Sequence, residues 1–150
     1  MLHWIESQRE SFTISTDPSR LDVDAIADML SRAYWAKGRP RQKLEHALQN
    51  SLVFGLYDGD RQIGLARVIS DYAIFAYLCD VFIHEDYRSR GLGKWLMATV
   101  MSHSNLQGLR RWTLATTDAH GLYRQFGWAA LDHPECWMEI LNPYPGEERA

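Results

Sequence analysis

The strongest constraint on this chain is a junction. An apolar run at residues 77–83 gives way to Tyr87-Arg88-Ser89-Arg90-Gly91-Leu92-Gly93-Lys94, and then to a segment in which Leu92, Leu96 and Val100 recur every four residues. The run is apolar at both alternating sets of positions, the pattern of a strand covered on both faces. The four-residue recurrence marks an amphipathic helix that must end before Gly108. A central strand that enters a helix through a two-glycine loop predicts a sheet and helices built around one core. Glycine at 91 and 93 lets the backbone take positive φ or pass close to a ligand. The first helical turn aims unpaired N–H groups and the positive dipole end outward, and Arg88, Arg90 and Lys94 add charge. Such a loop suits a phosphorylated ligand.

The remaining elements follow from local signals. Residues 11–15 alternate weakly and predict a first strand. Asp22 is placed to cap a helix whose inner stripe is Ile26, Leu30, Ala33 and Tyr34. Gly38 and Pro40 break that helix, and Pro40 opens a second one through Leu44, Ala47 and Leu48. Residues 52–57 and 62–69 flank Asp58-Gly59-Asp60 and predict a hairpin. Beyond the long helix come a short strand at 111–115, a short helix at 119–126 stopped by Gly127, and a last strand at 137–141. Residues 1–10 and 142–150 read as loose ends. Strands and helices mix without strict alternation, which predicts one α/β (α+β) domain over residues 1–150, its mixed sheet flanked by helices and its ordered core over residues 11–141.

Composition narrows the partners. The formal net charge is −3, whereas a nucleic-acid-binding domain is usually basic. Basic clusters at residues 39–43, 88–94 and 110–111 fit a small anion better than a long polyanion. The longest apolar stretch, around residues 72–83, is broken by Asp80 and too short to cross a bilayer, and the first ten residues lack a signal-peptide core. Two cysteines, Cys79 and Cys136, cannot build a disulfide framework. The expected setting is a reducing cytoplasm, with neither membrane nor nucleic acid as partner. His3, His46, His84, His103 and His133 share no ligand spacing, so no metal is expected. Six tryptophans can furnish both a core and an interface, which leaves a homodimer open.

Two nucleotide-binding loops can be set aside. A Walker loop needs Ser or Thr after its lysine, and Lys94 is followed by Trp95. A dinucleotide fingerprint needs a third glycine where Leu96 stands. Instead, Arg88-x-x-Gly91-x-Gly93 after a strand, followed by Leu122-Tyr123-x-x-Phe126-Gly127-Trp128, resembles the GNAT superfamily of acyl-CoA-dependent N-acetyltransferases. The hairpin, the central strand and the element order extend the likeness over nearly the whole chain. The resemblance implies a GNAT-like fold, with acetyl-CoA as cosubstrate. It implies direct transfer of the acetyl group to a primary amine on a small molecule or protein. Backbone groups of Val81, Phe82 and Ile83 would pair with the pantetheine arm, and Arg88, Ser89, Arg90, Gly91, Leu92, Gly93 and Lys94 would cradle the diphosphate. Tyr123 and Phe126 would complete the cofactor site. The alternative is a GNAT-fold protein that binds acyl-CoA as a sensor or partner without turnover.

The chemistry needs a neutral amine, a stabilised oxyanion and a proton for the departing thiolate. By the resemblance, Tyr123 is the general acid. Asp80 is the only charge in the apolar run, and alternation puts it on one face with Leu78 and Phe82. A carboxylate there must be partnered, solvated by a cleft or shifted in pKa, so it is either the base, a holder of the amine or a structural carboxylate. His120 is the second candidate base, because it immediately precedes the Tyr123 helix and an imidazole ordinarily titrates near ~6.5; the alternative is Asp118 as the helix N-cap with His120 exposed in the first turn. An oxyanion donor would be a backbone N–H of the central strand. Cys79 reads as a buried, inert thiol. Tyr34, Trp35, Lys37, Gly38 and Arg39 join the first two helices, and the resemblance puts that connection beside the acceptor pocket.

Overall fold

The computed structural model describes residues 3–147. Its sheet has six strands in chain order, β1 (Glu6–Arg9), β2 (Phe12–Ser15), β3 (Leu52–Asp58), β4 (Arg61–Ser70), β5 (Phe75–Ile83) and β6 (Arg111–Thr113). Neighbours are antiparallel except β5 and β6, which run parallel. The expected hairpin is the β3–β4 pair, and β2 occupies the expected first strand. β1 falls in what the sequence presents as a loose end. Its side chains are largely exposed, so it carries no apolar period, and backbone pairing to β2 holds it.

Helices cover both faces of this sheet, as expected. α1 (Val23–Ser31) starts at Asp22, whose carboxylate accepts from the Ala25 N–H at 3.0 Å. With α2 (Arg41–Gln49), α1 buries Ile26, Met29, Leu30, Leu44 and Leu48 against Val53, Leu65 and Phe82. On the other face α3 (Leu92–Ser102) buries Leu92, Leu96 and Val100, together with Met97, against Ile14, Phe54, Val68 and Leu78. At about 1.5–3 kcal/mol per buried large apolar side chain, these two layers supply the drive to fold. Tyr34 departs from its expected place in the α1 stripe. α1 ends before it, and the ring is half exposed at the cleft described below.

A bulge interrupts the β4–β5 ladder. Leu65 pairs with Phe82 and Arg67 with Cys79, so Ala66 faces both Asp80 and Val81. Asp80 takes the left-handed conformation, φ +50, at a cost on the order of 1–3 kcal/mol. The extra residue changes the phase of the strand. Leu78 points into the α3 layer and Phe82 into the α1–α2 layer. The expected sharing of one face by Leu78, Asp80 and Phe82 is therefore wrong, because simple alternation stops at residue 80.

The last expected strand also fails to form. Residues 137–141 form no strand, because a 3-10 turn at Pro134–Cys136 redirects the chain and β6 is only three residues long. Side chains anchor the segment instead. The Arg111 guanidinium lies 5.1 Å over the Trp137 ring, and Arg39 Nε donates to the Tyr144 hydroxyl at 3.2 Å. Gly38 admits this tail, since a Cβ there would come within 2.7 Å of the Pro145 carbonyl oxygen. The expected loose end is thus held as far as Glu147, which accepts from the Tyr144 N–H at 2.7 Å; residues 1–2 and 148–150 lie outside the described residues.

Candidate active site

β5 and β6 pair only at Phe75–Tyr77 and Arg111–Thr113, and then part. β5 continues to Ile83, while the chain after β6 turns toward α4 (His120–Arg124). A cleft of about 680 Å3 opens where they separate. One wall is residues 77–83; the other is residues 114–119 with Leu122 and Tyr123. Val81, Phe82 and Ile83 all line it, and the β5 edge facing it has lost its strand partner, so an extended chain can add there.

The glycine loop closes one end. Ser89 and Gly91 are both left-handed, φ +64 and +77. That coil turns the chain so that α3 starts directly at the cleft, where Ser89, Gly91, Leu92 and Gly93 line the wall. No side chain caps the helix. Its first bond runs from the Trp95 N–H to the Gly91 carbonyl, 3.1 Å, which leaves the N–H groups of residues 92–94 without helical partners. Beyond its own chain neighbours and helix backbone, a Cβ at Gly91 or Gly93 would meet no atom of the described residues within 4 Å. The residues thus fit a diphosphate, with open space in front of free donors at a positive helix end. Arg88 lines the cleft, held by its Nε–H bond to the Ile83 carbonyl at 2.9 Å. Arg90 and Lys94 stand outside the lining, Arg90 against the Tyr87 ring at 5.2 Å and Lys94 exposed.

Tyr123 lines the cleft, buried on α4. Among the described residues its hydroxyl has no hydrogen-bond partner. Burial, reinforced by Tyr34 and Asp118 nearby, pushes its pKa up to about 12, so it is a neutral donor over the physiological range. Phe126, expected at the cofactor, is partly buried against the core and is not among the residues that line the cleft. His120 is exposed on the first residue of α4 and does not line the cleft. Asp118 is not the helix cap; Ala119 holds that position, and the Thr116 hydroxyl accepts from the Ala119 N–H at 3.0 Å. Asp118 is instead an exposed carboxylate on the cleft wall.

Asp80 is enclosed by donors. Trp35 Nε1–H donates to Oδ1 at 2.8 Å; Arg39 and Arg67 donate to Oδ2 at 2.9 and 2.8 Å. Its side chain is 0% exposed, those of Arg39 and Arg67 12% and 11%. Burial pushes the carboxyl up, but the bonds and charges of Arg39 and Arg67 outweigh it and hold the group below the usual carboxylate range. A carboxylate so engaged is a poor acceptor for an ammonium proton. The geometry is that of a structural clamp, tying the α1–α2 connection to the bulge. Cys79 has its thiol pushed up to about 11 by burial, consistent with an inert side chain.

Tyr34 is the contact that sequence reasoning missed. Its hydroxyl accepts from the Thr117 N–H at 3.0 Å, joining the α1–α2 connection to the opposite cleft wall across 83 residues. Trp35 packs edge-on against it at 5.0 Å. The sequence predicts Tyr34 in the inner stripe of the first helix and the resemblance puts its connection beside the acceptor pocket, but no local signal announces the bond to Thr117. Among the described residues, no group of three or more His, Cys, Asp or Glu side chains could hold a metal ion.

A splayed parallel pair with a glycine-rich helix start at one end is the architecture of acyl-CoA-type transferases, and comparison with known proteins agrees. Residues 23–128 match the Acetyltransferase (GNAT) family, and the chain belongs to that family. A Gibberella zeae protein described as an acetyltransferase is 36% identical over 77% of each chain. A crystal structure from Xanthomonas campestris pv. campestris, described as an acetyltransferase of the GNAT family, is 48% identical. It superposes with a TM-score of 0.85, covering 88% of this chain and 94% of the other. A GNAT acetyltransferase from Elizabethkingia anophelis, solved with acetyl-CoA bound, shares the fold at a TM-score of 0.64 and 14% identity, over 89% of this chain and 90% of its own.

Proposed function

We propose that this protein transfers an acetyl group from acetyl-CoA directly to a primary amine. One observation carries the proposal. A single cleft is lined by unpaired helix N–H groups, by a free strand edge and by a protonated tyrosine whose hydroxyl has no partner among the described residues. The N–H groups of residues 92–94 and Arg88 hold the diphosphate, and the β5 edge aligns the pantetheine arm. A β5 backbone N–H faces the oxyanion as the amine attacks the thioester carbon.

The Tyr123 hydroxyl donates a hydrogen bond to the sulfur as the C–S bond breaks. Complete transfer from a group at about 12 to a thiolate near ~8.5 is uphill by ~5 kcal/mol, so the hydrogen bond in the transition state is its main contribution. Asp80 positions Trp35 and Arg39 and takes no proton. Asp118 is the cleft-wall carboxylate left open to solvent, and it holds the incoming ammonium or accepts its proton through water.

A panel of amines with acetyl-CoA, followed by CoA release, tests the assignment. Turnover of at least one amine, lost in Tyr123→Phe, is expected. Binding of acetyl-CoA with no acceptor turned over would favour the sensor alternative, and no binding at all would end both.

A further inference from the structure

We infer that the acceptor is a small apolar monoamine with no carboxylate beside its amine. The inference rests on the acetyl transfer proposed above and names the class of amine that the cleft selects. Its ground is a charge balance. Among the described residues four charged side chains line the cleft: Arg32, Asp80, Arg88 and Asp118. Three of them are already engaged. Arg32 donates to both carboxylate oxygens of Glu85 at 2.8 and 3.0 Å, and to that of Asp28 at 2.7 Å. Asp80 accepts from Arg39 and Arg67. Arg88 bonds the Ile83 carbonyl at 2.9 Å and is assigned to the diphosphate.

Asp118 is left over. Its carboxylate is exposed on the cleft wall and forms no ion pair among the described residues. Asp118 and Tyr34 both act on the Tyr123 hydroxyl, so this carboxylate stands close to the group that meets the thioester. An amine arrives as an ammonium, and Asp118 supplies its counter-charge. A carboxylate on the adjacent carbon would meet no free cation, and Asp118 would repel it. Such an unpaired like charge is how a site rejects a near-isostere. Two unit charges ~6 Å apart at an effective dielectric constant of ~20 correspond to about 100-fold in affinity. Screening at an exposed carboxylate brings the expectation to about 10–100-fold.

The rest of the lining favours an apolar body. Tyr34 is 52% exposed at the cleft, with Trp35 edge-on to it at 5.0 Å. Ala33, Tyr77 and Leu114 add apolar wall. The polar groups of this region are already engaged. The Tyr34 hydroxyl accepts from the Thr117 N–H, the Thr116 hydroxyl accepts from the Ala119 N–H, and Trp35 Nε1–H donates to Asp80. A sugar amine would lose water from hydroxyls that gain no partner. A polyamine would bring a second ammonium with no second free carboxylate. An aryl or alkyl body fits the aromatic wall, whose ring faces also attract an ammonium. One placed charge on a mainly apolar wall is the usual make-up of a small-molecule site.

Initial rates with a matched pair, 2-phenylethylamine and phenylalanine, test this in the wild type and in Asp118→Asn. Calorimetric binding of the same amines to the CoA complex is the second readout, since it needs no turnover. 2-Phenylethylamine is expected to exceed phenylalanine by about 10–100-fold in kcat/KM and in affinity. Asp118→Asn removes the attraction from both amines but the repulsion from phenylalanine alone, so the pair should come within about threefold of each other. Glucosamine, spermidine and a lysine-containing peptide should all be poorer acceptors than 2-phenylethylamine. Equal use of phenylalanine, a ratio that survives Asp118→Asn, or a preference for any of those three would overturn the inference and leave acetyl transfer standing. No turnover of any amine, with the binding ratio present, would overturn acetyl transfer and leave the charge selectivity standing. No turnover with equal or undetectable binding of the pair would overturn both.

Discussion

Replacing Asp80 by asparagine separates a clamp from a base. The substitution preserves shape and removes one negative charge from between Arg39 and Arg67, whose side chains are 12% and 11% exposed. Removing one partner of a buried ion pair costs ~3–5 kcal/mol, here against a total stability on the order of 5–15 kcal/mol. In a chain of this size 1 kcal/mol moves Tm by ~2–4 °C, so Asp80→Asn should unfold about 6–20 °C earlier by calorimetry. Adding Arg67→Met should recover part of that loss, because one orphaned cation is then gone. Acid should show the same coupling. Asp80 is held below its unfolded value, so its contribution is complete above about pH 4 and is lost as pH falls through the depressed folded value. The wild type should therefore lose Tm more steeply than Asp80→Asn on acidification. At a temperature where both are folded, the variant should keep the acid limb of its pH–rate profile. An unchanged Tm with a rate loss of ~100-fold or more would refute the clamp and restore Asp80 as the base.

Other expectations are more local. Tyr123→Phe should lower kcat by ~10²–10⁴-fold with little change in Tm, because the hydroxyl bonds to no other group among the described residues; steady-state kinetics and calorimetry check this. Gly91→Val forces a β-branched residue to φ +77, at ~1–2 kcal/mol, and should weaken acetyl-CoA binding about 5–30-fold by titration calorimetry. Leu96→Ala empties a fully buried site under the sheet and should cost ~2–5 kcal/mol in denaturant unfolding. Arg32→Ala removes ion pairs to Asp28 and Glu85 at 2.7 and 2.8 Å, yet Tm should not change measurably, since these pairs are exposed and screened.

Much of the scaffold was readable because its signals are local. The Asp22 cap, the Leu92, Leu96 and Val100 stripe and the β3–β4 hairpin each arise from residues close in sequence. The glycine loop was readable for the same reason. What escaped depends on distant partners. β1 has exposed side chains and exists through backbone pairing, so no periodicity announces it. The bulge at Asp80 is dictated by β4 and by the cations of Arg39 and Arg67, none of them adjacent to residue 80. Residues 137–141 have a strand's alternation but form no strand, because the turn at Pro134–Cys136 redirects the chain. His120 lies close to Tyr123 in sequence, yet its exposed ring stays out of the cleft; sequence proximity did not put it into the site.

The hydrogen bond between Tyr34 and Thr117 turns a trench into an eyelet. Under the proposed function, a donor held by its diphosphate at the start of α3 and an acceptor would share the one cleft that this bond bridges. Two substrates that share one cleft for direct transfer have no need to take turns. Initial-rate lines for the two should therefore intersect rather than run parallel, and Tyr34→Phe should raise the KM of the acceptor before it touches that of acetyl-CoA.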